Sequence, residues 1–161
     1  MSKTTKPASL AGLLKSDAIS LNLQERQKVP ALREVASMLA KNQSVTNFDA
    51  FFSEILERER ISNTALGHDV AIPHARTEQC TEILVAVGRS AEGIDFDSRE
   101  NGPVRLIFLI GTPKQMVTEY LRVVGNLARL LRRDDTRQQL LTAPDTESFI
   151  RIIAEAESSG A

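Results

Sequence analysis

Both histidines of the chain, His68 and His74, fall in one stretch, SNTALGHDVAIPHAR at residues 62–76. An imidazole that is neutral near pH 7 is nucleophilic, and the phosphoramidate it forms stays reactive enough to pass the group onward. A histidine in such a stretch is therefore a candidate phosphoryl carrier. Pro73 fixes its own φ and biases Ile72 toward extended backbone, so His74 is presented by a stiffened end of the loop. Phosphoryl transfer is mostly positioning and charge neutralisation, which makes nearby hydroxyls and a guanidinium the supporting groups. Ser62, Thr64 and Arg58 are the local candidates.

Blander readings fit the same residues. A single loop histidine is more often a surface or hydrogen-bonding group than a nucleophile. His68 and His74 lack other obvious His or Cys ligands, so no metal is expected, and no cofactor site is expected either. Cys80 is the only cysteine and cannot form an internal disulfide; it reads as a small core or surface residue. The dense basic run at 129–133 interleaves with Leu130 and Leu131 at helical spacing and reads as a solvated helix face. Twenty Lys and Arg against 21 Asp and Glu give a net charge of -1, which argues against nucleic acid as a partner.

Something must hold this stretch in place, and the flanking patterns say what. Residues 1–8 are polar and aperiodic and read as a flexible lead-in, followed by one domain over 9–156 and a tail at 157–161. Ser9 can cap a short helix bearing Leu10, Leu13 and Leu14, and Ile19, Leu21 and Leu23 alternate as in a strand. Apolar residues recur at three and four over 29–41. A second helix carries Phe48, Phe51, Phe52, Ile55 and Leu56, with Thr46 and Asp49 spaced as a capping box and a polar end at 57–60. Residues 83–87 and 104–110 are apolar runs of strand length, parted by a turn segment around Gly93, Asn101, Gly102 and Pro103. Helical patterns follow at 116–131, 134–141 and 146–156. Strands apolar on both faces need helices on both sides, so the fold class is α/β, a single domain whose central sheet is covered on both faces. No apolar run has signal-peptide or membrane-spanning length, so a cytoplasmic protein without membrane insertion is expected.

The chain resembles the type-2 enzyme IIA domains of the bacterial phosphoenolpyruvate-dependent phosphotransferase system, the fructose, mannitol and nitrogen-regulatory group. VAIPHAR (70–76) is the core of the likeness, extended by ILERE (55–59), GIDFD (93–97), PVRLIFLIGTP (103–113) and LARLL (127–131). The resemblance covers residues 9–156. It implies a mixed sheet sandwiched by helices, a phosphohistidine at His74 attacking through Nε2, an active-site arginine at Arg58, and the histidine phosphocarrier protein as donor. The chain would then be a phosphotransferase component with no small-molecule turnover of its own. Two departures stand out. The family's Thr-Gly-Ile-Gly-Asn-Gly is replaced by residues 64–69, TALGHD, so Ala65 and Asp69 stand where glycines are usual and would be strained wherever φ is positive. The second family histidine is replaced by Tyr120, which either donates a weaker hydrogen bond to the phosphoryl group or simply packs. No fused IIB or membrane domain is expected from these residues. A nitrogen-type regulatory role is therefore favoured over relay of phosphate to a IIB domain during sugar uptake.

Overall fold

The computed structural model describes residues 9–159; the expected lead-in at 1–8 and the last two residues of the expected tail lie outside them. The elements run in the order α1 (Leu10–Leu13), β1 (Ile19–Ser20), α2 (Lys28–Ser37), α3 (Phe48–Ile61), β2 (Ala65–Gly67), β3 (Val70–Ala71), β4 (His74–Thr77), β5 (Leu84–Ile94), β6 (Val104–Pro113), α4 (Val117–Leu130), α5 (Asp134–Thr142) and α6 (Thr146–Ser159).

β5 and β6 pair antiparallel at the centre of a six-stranded mixed sheet, with β1 parallel on the free edge of β5. Their two-residue alternation separates two cores, because successive side chains leave opposite faces of a strand. Val85, Val87, Leu106, Phe108 and Ile110 pack with Val123, Leu127, Leu140, Phe149 and Ile153 of α4, α5 and α6. Ala86, Ile107 and Leu109 pack with Leu32, Val35, Phe51 and Ile55 of α2 and α3. The expected α/β sandwich is thus present, and both apolar faces are used. Gly88 marks a close approach of α2 to the sheet: a Cβ there would stand 2.6 Å from the side chains of both Leu23 and Val35.

The other edge of β6 carries two short strands in succession. β3 pairs in parallel at Leu106 and Ile107, then β4 pairs in parallel from Ile110 to Pro113, and the Pro73 carbonyl between them accepts the Ile110 N–H at 2.9 Å. Residues 62–76 are therefore not one loop, as composition suggests. The open edge of β6 offers backbone donors and acceptors that this polar stretch satisfies, and such pairing outweighs weak local propensity.

Three further details depart from the periodic reading. The cap of α3 is Asn47, whose side chain accepts the Ala50 N–H at 3.0 Å, while the Thr46 hydroxyl donates to Gln79 instead. α2 stops at Ser37, four residues before the pattern ends. α6 continues to Ser159, through part of the expected tail, and the Glu157 carboxylate accepts the N–H groups of Leu10 and Ala11 at 2.6 and 3.0 Å. Among the described residues no helix is long and apolar enough to cross a membrane.

Candidate functional site

The site begins at a reversal of the chain. Gly67, His68 and Asp69 have φ of 88°, 55° and 72°, which turns β2 back into β3. Of the two missing glycines only the one at Asp69 falls on a left-handed backbone; Ala65 lies within β2 and carries no such strain. The Asp69 carbonyl accepts the N–H groups of Arg105 and Leu106 at 2.8 and 2.9 Å, so the turn is pinned to the start of β6. His68 is exposed on that turn. No group of three or more His, Cys, Asp or Glu that could hold a metal occurs among the described residues.

His74 opens β4. Alternation along this strand buries Ala75 and Thr77, while His74 is half-buried and Arg76 exposed on the opposite face. The Nδ1 of His74 lies 2.7 Å from the Ile72 carbonyl. A carbonyl only accepts, so Nδ1 carries the proton and Nε2 keeps its lone pair. Burial is the largest influence on the ring and holds its pKa below the ordinary 6.5; the Ile72 carbonyl opposes this, the Arg58 charge adds to it, and Glu59 opposes it. The result is a neutral, singly oriented imidazole.

Arg58 sits in the last turn of α3, where it donates to the Ser62 carbonyl at 3.1 Å. Ser62 is exposed and thus contributes a backbone oxygen to the arginine. Thr64 is buried, and both its N–H and its hydroxyl are taken by Glu59 at 2.8 Å. Tyr120, in the first turn of α4, places its ring centroid 5.6 Å from that of His74 with the planes at 54°. Tyr120 thus lies in ring contact with His74 and Arg58 acts on the ring through its charge, whereas the Thr64 hydroxyl is engaged elsewhere.

Three residues near the site escape the sequence reading. Glu59 belongs to the polar end predicted for α3, yet it is 5% exposed and pairs with Lys28 at 3.1 Å. Its signal was its place in the stripe Phe52, Ile55, Glu59, which keeps the three-and-four spacing. Arg76 stands with its guanidinium 5.8 Å from the Tyr120 ring centroid. Its position two residues after His74 places both on one face of any strand. Lys28 carries no local signal. Cys80 is buried beside Val45, and burial raises its thiol to about 12, which leaves it unreactive.

The family described as "Phosphoenolpyruvate-dependent sugar phosphotransferase system, EIIA 2" matches residues 12–156. The chain is 33% identical over 141 residues to the PTS system fructose-specific EIIABC component of Bacillus subtilis, covering 88% of this chain but 22% of that protein. It is 32% identical over 145 residues to a nitrogen regulatory protein of Bradyrhizobium diazoefficiens, covering 90% and 94% of the two chains. The structure superposes on the nitrogen regulatory protein IIA-Ntr of Neisseria meningitidis with a TM-score of 0.83 at 28% identity, over 89% of this chain and 98% of that one. With the family match spanning the sheet, both helical layers and the strand that presents His74, the chain belongs to the EIIA 2 family of the phosphoenolpyruvate-dependent sugar phosphotransferase system.

Proposed function

We propose that this protein is a phosphocarrier that accepts a phosphoryl group on Nε2 of His74 from the histidine phosphocarrier protein in the cytoplasm, and that its role is regulatory, of the nitrogen type. The observation that carries the reading is the hydrogen bond from Nδ1 to the Ile72 carbonyl at 2.7 Å. It selects the tautomer whose free lone pair is on Nε2 and keeps the ring from rotating. Arg58, within electrostatic reach of the ring, is the guanidinium that meets the incoming phosphoryl oxygens. Tyr120, where the family resemblance expects a second histidine, weakens two-way transfer and supports regulation over relay.

A second reading keeps the same site but passes the group to a IIB domain during sugar uptake. The likeness to a fructose-specific component favours it as firmly as the other relatives favour regulation. One experiment tests the shared core and then separates the two. The protein is incubated with phosphoenolpyruvate, enzyme I and the phosphocarrier protein, and an acid-labile, base-stable adduct is expected on wild type and absent from His74→Ala. Label that persists in His74→Ala, or that resides on His68, overturns the assignment. Addition of a IIB domain then drains the label if the protein is a sugar relay and leaves it if the protein is regulatory.

A further inference from the structure

We propose that Arg76 is a second phosphoryl-binding guanidinium and that Tyr120 is the platform that positions it beside His74. The inference rests on the phosphocarrier reading above. His74 and Arg76 leave the same face of β4, about 7 Å apart along the strand. The Tyr120 ring lies against both, at 5.6 Å from the imidazole and 5.8 Å from the guanidinium. The latter distance is that of a cation–π contact, which steers an arginine without consuming its N–H donors. Arg76 is exposed, has no carboxylate within salt-bridge distance among the described residues, and makes one long hydrogen bond, 3.4 Å, to the Lys114 carbonyl. Its charge and most of its donors are unspent.

Charge counting says what they are for. As the Nε2–P bond forms, the donor's N–P bond breaks and its electron pair returns to the donor's imidazole nitrogen. The proton on Nδ1 of His74 stays where it is, bonded to Ile72. The ring gains one positive charge and the phosphoryl group brings two negative ones, so the site becomes more negative by one. Arg58 answers from α3, and a phenol at 120 supplies no positive charge at any pH. Arg76, held against the Tyr120 ring, brings a cation to the α4 side of His74, and its planar fork suits two phosphoryl oxygens at once.

The test is the rate of His74 labelling by the phosphorylated phosphocarrier protein, measured with melting curves for every variant. Arg76→Ala is expected to lower kcat about ten-fold or more, as loss of one charged donor from a preorganised site does, with Arg76→Lys restoring part. Tyr120→Phe, which keeps the ring, should slow transfer less than Tyr120→Leu does. Tyr120→Leu should slow transfer, and Arg76→Ala should then add little in that background. An Arg76→Ala protein that melts normally and labels at the wild-type rate overturns the proposal, as does a rise in KM alone, which would make Arg76 a docking contact. Tyr120→Phe as slow as Tyr120→Leu overturns the platform role in favour of the hydroxyl. A wild type that takes no label overturns the phosphocarrier reading itself, and this inference with it.

Discussion

Glu59 accepts both the backbone N–H and the hydroxyl of Thr64, each at 2.8 Å, while its carboxylate also pairs with Lys28 at 3.1 Å. One buried side chain thereby ties the last turn of α3, which holds Arg58, to the start of β2, which leads to His74. The Lys28 ammonium is little exposed and lies 4.8 Å over the Phe96 ring, so it has no ready substitute partner in solvent.

Removing Glu59 should therefore be costly. Glu59→Ala strands an ammonium and two donors of Thr64, and a stability loss of about 3–5 kcal/mol is expected in urea denaturation. Glu59→Gln keeps an acceptor for Thr64 and should lose less. A loss under about 1 kcal/mol for the alanine variant would show that water replaces the network.

The depressed pKa of His74 makes stability depend on pH with a definite sign. Below the ordinary value of 6.5 the unfolded chain binds a proton at this ring that the folded chain refuses. Stability is thus flat above 6.5 on this account and falls as pH drops from 6.5 toward the lower folded value. His74→Gln should remove that part of the acid slope. The measurement is unfolding free energy against pH for both proteins, and identical slopes would contradict the burial argument.

Arg58→Ala should raise the His74 pKa, because one of the influences lowering it is the Arg58 charge. An NMR titration of the ring reads this directly. The same variant should slow phosphoryl acceptance by about ten-fold or more while costing under about 1 kcal/mol of stability, since it loses mainly the hydrogen bond to the Ser62 carbonyl. A wild-type rate would return Arg58 to the role of a helix-end charge.

Asp69 holds φ of 72° with a β-carbon that the left-handed region tolerates poorly. Asp69→Gly should leave the protein as stable or up to about 1 kcal/mol more stable, the relief of strain being partly offset by glycine's entropy. Asp69→Ala should destabilise it. Thermal melts of the two variants decide the matter, and a lower melting temperature for glycine would mean that the Asp69 side chain makes a contribution of its own.

Much of this was settled along the chain. The apolar runs of β5 and β6 and the helical spacing of Phe51, Phe52 and Ile55 were legible, because periodicity reads local faces directly. The pair Pro73–His74 also carried its meaning in sequence, because proline stiffens its neighbours without help from the rest of the fold. What periodicity does not contain is which distant groups share a space. Residues 62–76 became three strands because the edge of β6, far along the chain, was there to pair with β3 and β4, and β2 folds back onto β3. Glu59 turned from a solvated helix end into a buried anchor when Lys28 and Thr64 arrived from other elements to satisfy its charge. The tautomer of His74, the company of Tyr120 and Arg76, and the direction in which the imidazole pKa moves likewise depend on distances between elements. Those distances are set by packing the two helical layers against one sheet, and no single segment encodes them.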